Sequence, residues 1–177
     1  MKRFLLLFCV LVSFLLFISL KIDFSLSALA LTRQQLEGLG QLLYQSRHSL
    51  RDDVGSPWQV VLFKRVKDGE TVEISLRLVG FPEGIEFLHP KRLTITTAKG
   101  QILAAEDAFA QESPAANIGQ YKMQDILTQL PVTEAIELSL PLDSPRSLSI
   151  SIPVLLEWQS LFFSVNGGNP NHQRSKN

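Results

Sequence analysis

Residues 58–79 hold two alternating apolar runs that meet at Asp68-Gly69. That dipeptide suits a two-residue type I′ turn, because both central residues need positive φ, so the stretch reads as a β-hairpin. With Lys67 facing Glu70 across the turn, counting back sets Phe63 opposite Ile74, Val61 opposite Leu76 and Arg65 opposite Val72 on one greasy face. The other face pairs Lys64 with Glu73, Leu62 with Ser75 and Val60 with Arg77. An opposite-charge pair directly across two strands adds only about 0.2–1 kcal/mol, but it agrees with the register set independently by the turn. Phe63 therefore belongs to the expected core and Lys64 to the wetter face, and truncating Phe63 should cost far more than truncating Lys64.

The rest of the chain is read around this hairpin. Its 177 residues fit one domain plus a leader. Lys2 and Arg3 precede an almost unbroken apolar run over residues 4–20, and Ala28-Leu29-Ala30 supplies the small-residue pattern of a signal-peptidase site. Export with a cut after Ala30 follows. The rival reading is an uncleaved anchor over residues 4–20, since the run reaches the lower limit for crossing a bilayer. Cys9 is the sole cysteine and lies inside the apolar run, so a chain cut after Ala30 has no disulfide or thiol chemistry. Taking Lys2, Arg3, Lys21 and Asp23 from the 17 basic and 17 acidic residues leaves a net charge of about −2. Nucleic-acid binding would call for a basic excess, so no nucleic-acid partner is expected.

From the expected mature start, Thr32 to Gln35 fits a capping box and Leu36, Leu39 and Leu43 recur at helical spacing, although Gly38 and Gly40 oppose a helix. Residues 41–51 then change to period two and read as the first strand. Asp52-Asp-Val-Gly-Ser-Pro57 is turn chemistry leading into the central hairpin, and its length decides whether His48 shares a face with Phe63 or with Lys64. A further turn cluster starts at Gly80, a short apolar piece covers residues 85–88, and residues 92–97 and 101–105 form another hairpin across Ala98-Lys99-Gly100, with Leu93, Ile95 and either Leu103 or Ile102 inward. Residues 106–120 are Ala-rich with Ser113-Pro114 and Asn117-Ile-Gly119, and read as a long loop. Met123, Ile126, Leu127 and Leu130 form one helical face before Pro131. Residues 135–140 and 147–152 alternate cleanly as a last hairpin, Leu155, Trp158 and Phe162 suggest a final helix, and residues 165–177 have the composition of a disordered tail. The sum is mainly β: an antiparallel sandwich or barrel of about seven or eight strands with one or two short helices, as a single domain over residues 31–164.

Candidate chemistry is sparse. His48, His89 and His172 do not recur at metal-ligand spacing, so no metal or other cofactor is expected. Ser46, His48 and Asp52 offer the one set from which a hydrolase site could be assembled, but no nucleophile-elbow signature accompanies them. Paired acids such as Asp52-Asp53 and Glu106-Asp107 sit in turns, where such residues serve the backbone. The most suggestive group is cationic. Arg47 and Arg51 share a face of the first strand, and Lys64 and Arg77 share a face of the hairpin, so these four are the candidate binding residues for an acidic partner or anionic group. The bland alternative is a solvated sheet face with cross-strand ion pairs. Phe81 and Trp158 are either partner anchors or core.

Several runs resemble a family of exported cyanobacterial proteins designated domain of unknown function 3122: Leu43-Tyr-Gln-Ser-Arg-His-Ser-Leu-Arg-Asp52, Trp58-Gln59 followed by Leu62-Phe-Lys-Arg65, Leu76-Arg-Leu-Val-Gly-Phe-Pro82, Ala115-Ala-Asn-Ile-Gly-Gln-Tyr121 and Glu157-Trp158. The resemblance implies a cyanobacterial source and hence the periplasm or the thylakoid lumen as destination. It brings no activity, ligand or catalytic residue. The expected function is a non-catalytic binding or assembly-support module for a protein partner, with membrane contact only if the leader stays uncleaved. A hydrolase with its site near His48, or a small-molecule carrier with a cavity of about 300 Å³ or more, are the alternatives. The leader reading is checked by the mass of the N-terminus after expression in a bacterial host: a chain beginning at Leu31 is expected, and an intact chain held in the membrane would make residues 4–20 an anchor.

Overall fold

A computed structural model describes residues 33–38, 40–81 and 85–164. The expected leader, its cleavage position and the tail of residues 165–177 lie outside the described residues. The elements in order are β1 (Arg33–Gly38), β2 (Gln41–Arg51), β3 (Pro57–Lys67), β4 (Glu70–Gly80), β5 (Leu93–Thr97), β6 (Ile102–Ala105), β7 (Ile118–Lys122), α1 (Gln124–Leu127), β8 (Ile136–Leu140), β9 (Arg146–Ile150) and α2 (Ile152–Phe163). Among the described residues, nine strands form two antiparallel sheets that do not close into a barrel, so the architecture is the sandwich of the two expected forms. One sheet runs β1-β2-β3-β4-β7 and the other β6-β5-β8-β9.

The central hairpin forms around Asp68-Gly69, with positive φ at both residues and Lys67 opposite Glu70. Its register then departs from the expected one. Val66 pairs with Thr71 and Arg65 with Glu73, which leaves Val72 as an extra, bulged residue that is 53% exposed. Beyond the bulge every pair shifts by one: Leu62 faces Leu76, Val60 faces Leu78, Phe63 faces Ser75 and Lys64 faces Ile74. The unbulged register would set Arg77 beside Val60 on the face of Leu62. One extra residue instead sets Ile74, Leu76 and Leu78 on the side of Val60 and Leu62 and turns Arg77 to the other, where Val61 and Phe63 also lie.

A single apolar core draws on both sheets and both helices. Trp58, Val60, Leu62, Leu76 and Leu78 meet Leu93, Ile95, Leu138, Leu148 and Ile150, and α2 adds Leu155 and Trp158. In β8 and β9 the expected alternation holds, with Ile136, Leu138, Leu140, Leu148 and Ile150 buried. Leu103, not Ile102, is the inward residue of β6. Met123, Ile126, Leu127 and Leu130 are all buried, although only residues 124–127 are helical.

Two elements differ from expectation. Residues 33–38 form β1 against β2 and not a helix, with the turn at Gly40, whose φ is +74°. Gly40, one of the two glycines that weaken a helix here, permits the tight reversal. The loop expected over residues 106–120 ends early, because residues 118–122 pair with β4 as β7. Gly119 reads as a turn residue, yet it stands in a strand for a packing reason: a Cβ there would lie 2.8 Å from the Phe87 ring.

The turn after β2 is tied to the second sheet by Asp52. Its carboxylate accepts hydrogen bonds from the backbone N–H of Val54 (3.1 Å) and Ser56 (2.7 Å), from Trp58 Nε1 (3.0 Å) and from Arg146 Nη1 at the start of β9 (2.9 Å). Asp53 adds a backbone bond to Ser147 O and accepts from Ser147 N. Burial pushes the Asp52 pKa up, but the bonds from Trp58, Arg146, Ser56 and Val54 outweigh it and hold the carboxyl below its ordinary value. A carboxylate depressed in the folded state contributes stability above its unfolded pKa of about 3.9, and that contribution is lost as pH falls through the lower folded value. Asp52→Asn is therefore expected to lower stability near neutral pH by about 2 kcal/mol, and urea melts should show the gap from the parent shrinking below about pH 4.

Candidate functional site

The same alternation that fills the core gives the first sheet an outer face. Leu43, Gln45, Arg47, Ser49 and Arg51 of β2 point there, with Val61, Phe63 and Arg65 of β3, Glu73, Ser75 and Arg77 of β4, and Gln120 and Lys122 of β7. None of these residues belongs to the core cluster. Counting Lys67 and Glu70, which pair on the same face at the turn, six are basic (Arg47, Arg51, Arg65, Lys67, Arg77 and Lys122) and two, Glu70 and Glu73, are acidic. The outward positions of the second sheet, by contrast, are Thr94, Thr96, Ile102, Ala104, Glu137, Ser139, Ser147 and Ser149. Positive charge is thus concentrated on one side of a chain whose total charge is near neutral.

Apolar residues lie beneath the cations. Phe63 is only 5% exposed, and the guanidinium groups of Arg65 and Arg77 sit 5.7 and 5.4 Å from its ring centroid, within the range of a cation–π contact. A polar chain holds those arginines in place. Arg65 pairs with Glu73; Ser75 Oγ and Gln120 Nε2 donate to Glu73 Oε1 at 2.9 and 3.1 Å; Gln120 Oε1 accepts from Arg77 Nε at 3.0 Å and Nη2 at 2.7 Å. Ser75 and Gln120 are buried, so the chain is anchored in the sheet. Arg77 spends two of its five N–H groups on Gln120.

Of the four residues singled out from the sequence, the structure brings two together. Arg47 and Arg77 both pair with Val61, one from each side, so their backbones stand about 10 Å apart, two strand spacings. Arg51 is on the same face but at the end of β2, where Nη1 donates to Gly55 O at 2.6 Å. Lys64 is on the opposite face, a consequence of the bulge. It is 4% exposed, and Nζ donates to Phe162 O (3.0 Å) and Ser164 O (2.8 Å) at the C-terminus of α2. Burial pushes its ammonium pKa down. Arg65, Lys122 and Gln120 were missed as members. Arg65 could have been found by its spacing from Phe63; the other two depend on a strand hidden by Gly119.

The residues of the hydrolase alternative do not assemble. His48 is on the core face, opposite Val60, so it shares a side with Lys64. Ser46 Oγ and Glu157 Oε2 both approach its Nε2, at 3.0 and 3.3 Å, whereas a relay needs hydroxyl and carboxylate on different ring nitrogens. Ser46 is fully buried, and Asp52 is committed to Trp58 and Arg146. His89 Nδ1 lies 2.6 Å from Asp107 Oδ2, and His172 falls outside the described residues. Beside Asp107, Tyr121 is fully buried; burial first, and the Asp107 charge second, push its phenol pKa up. Among the described residues no three His, Cys, Asp or Glu side chains gather as a metal site. Trp158 is core and Phe81 half exposed. No described helix is long and apolar enough to cross a membrane.

A family model described as Protein of unknown function (DUF3122) matches residues 30–161. No curated protein and no solved structure matches the chain.

The two faces of the sheet give opposite expectations for their cations. Lys64→Ala removes two charge-assisted bonds to the end of α2 and is expected to cost about 1.5–3 kcal/mol, with faster amide exchange in the last turn of that helix. That reverses the small cost expected from the unbulged hairpin. Arg47→Ala, on the exposed face, is expected to stay within about 0.5 kcal/mol of the parent in the same denaturant melts.

Proposed function

Because the chain belongs to the DUF3122 family, whose description assigns no activity, we propose that it is a non-catalytic binding or assembly-support module that presents the outer face of its first sheet to an acidic protein partner. The observation that carries this reading is the pair Arg47 and Arg77 astride Val61, with Arg77 oriented through Gln120 and Glu73. A guanidinium held in place loses less freedom when it meets a carboxylate, and its planar fork accepts one bidentately. Phe63 and Val61 beneath provide apolar area that a partner could dehydrate further around those charges. The concentrated positive face also favours fast encounter with an acidic surface.

Export to the periplasm or the thylakoid lumen of a cyanobacterium is part of the proposal. It rests on Lys2 and Arg3, the apolar run of residues 4–20 and Ala28-Leu29-Ala30. A tether through residues 4–20 is its alternative form and would keep the same face for the partner.

The test is affinity capture from cyanobacterial membrane and soluble extracts with the tagged mature protein, beside its Arg47→Glu/Arg77→Glu variant. The parent is expected to retain a distinct acidic partner at low salt, less at moderate salt, and the charge-reversed variant to bind it at least about tenfold more weakly in a follow-up titration, a loss of about 1.4 kcal/mol. Equal retention by both proteins would overturn the reading.

A further inference from the structure

The two sheets meet at β7, and β7 is short. Along one edge it pairs with residues 75–79 of β4; along the other, Tyr121 bridges Asp107, Lys122 N donates to Glu106 O at 2.9 Å, and Ala108 N donates to Gln120 O at 2.7 Å. At Met123 the chain leaves this line, gives one bond to Ile74 O, and turns into α1. Past that point residues 70–73 of β4 have a strand neighbour, β3, on one side only. Facing them, β6 is the end strand of the second sheet and, among the described residues, pairs only with β5. The position that a longer β7 would occupy is a cleft of about 650 Å³, lined by Val72, Glu73 and Ile74 on one side, Ala104 and Glu106 on the other, and α1.

We propose that this cleft receives an extended peptide segment of a partner, which continues the line of β7 antiparallel to β4 and carries alternating apolar and basic side chains. Unpaired strand edges attract added strands, and proteins ordinarily blunt or cover them. Here α1 packs beside both edges, but no described strand pairs with residues 70–73 on this side or with the outer edge of β6. The bulged Val72 and Ile102 at the start of β6, 53% and 69% exposed, leave apolar surface at the edges themselves. The alternation follows from strand geometry. Side chains on one side of the added strand meet Ile74 and Ile126, and those on the other meet a rim that carries Glu73, Glu106 and Asp125 against Arg92 and Lys122. Both of those cations already approach Glu106, at 3.5 and 3.7 Å, and Glu73 is held by Arg65. The Asp125 carboxylate has no ion-pair partner among the described residues, and it invites a basic one. This surface shares Glu73 and Lys122 with the acidic-partner face proposed above but does not include Arg47 or Arg77, and it calls for the opposite charge in its occupant.

The probe is a fluorescent heptapeptide of alternating Lys and Val, titrated by anisotropy against the purified exported protein. Saturable binding is expected. It should weaken at least tenfold when the peptide is N-methylated at every second residue, when Val is kept but Lys is replaced by Glu, and when Ala104→Trp fills the cleft from an exposed position that leaves the thermal transition in place. Arg47→Glu, whose residue neither lines the cleft nor joins the Glu73 network, should bind the probe as the parent does, which separates this site from the outer face. Absence of saturable binding, equal binding of the N-methylated or Glu-containing peptide, or full binding by Ala104→Trp would each overturn the proposal.

Discussion

The arrangement of this molecule depends on one extra residue in β4. The bulge at Val72 sets the register of the two longest central strands, and a slip of one residue moves every side chain of a strand to the other face. With the bulge, Leu62 and Leu76, and Val60 and Leu78, meet across the strands and fill the core. Burying one such side chain contributes roughly 1.5–3 kcal/mol, several times what a cross-strand charge pair such as Lys64 with Glu73 would add. Core burial therefore decides the pairing, and the ion pair that appears is Arg65 with Glu73 on the wet side.

That choice has a consequence for Lys64. The residue is carried inward with its apolar neighbours, where an unpartnered ammonium would be strongly unfavourable. Its long stem lets Nζ reach the carbonyls of Phe162 and Ser164, groups at a helix end that otherwise lack an intrahelical donor. A buried cation and an open helix terminus thus satisfy each other. The contact also joins α2 to the middle of the first sheet, close to where Ser46, His48 and Glu157 form a second polar junction. Two members of the candidate hydrolase set, Ser46 and His48, thus take part in seating the helix, while the third, Asp52, ties the turn after β2 to β9.

Much of the fold was legible because local signals and core burial agreed. Asp68-Gly69 supplied the turn, residues 41–51 the first long strand, and the serine-alternating residues 147–150 the last hairpin. Where the reading failed, a non-local requirement prevailed. The bulge leaves no mark on period two within either strand; it becomes visible only when the partners are matched by burial. Gly119 resembled a turn because its reason for being glycine is the Phe87 ring, thirty-odd residues away in sequence and in contact in space. Gly38 and Gly40 were correctly set against a helix, but β1 exists because β2 offers it an edge. The candidate site was half legible for the same reason: Arg47, Arg51 and Arg77 follow from parity, whereas Lys64 moved with the register and Lys122 and Gln120 waited on β7.

β7 connects both proposed surfaces, and its length follows from the core. Gln120 and Lys122 belong to the basic outer face, and Gln120 is the residue through which Arg77 and Glu73 are joined. Three more residues in the same line would pair with the rest of β4 and close the gap toward β6. The next residues are instead Met123, fully buried, then Ile126 and Leu127, whose apolar side chains complete the core between the sheets. A strand would send alternate residues outward, while a helical turn at this point lets neighbouring apolar residues all point in. The demand for core volume beneath β4 and β6 therefore ends β7 early, and the open strand edges above it are the result of that packing.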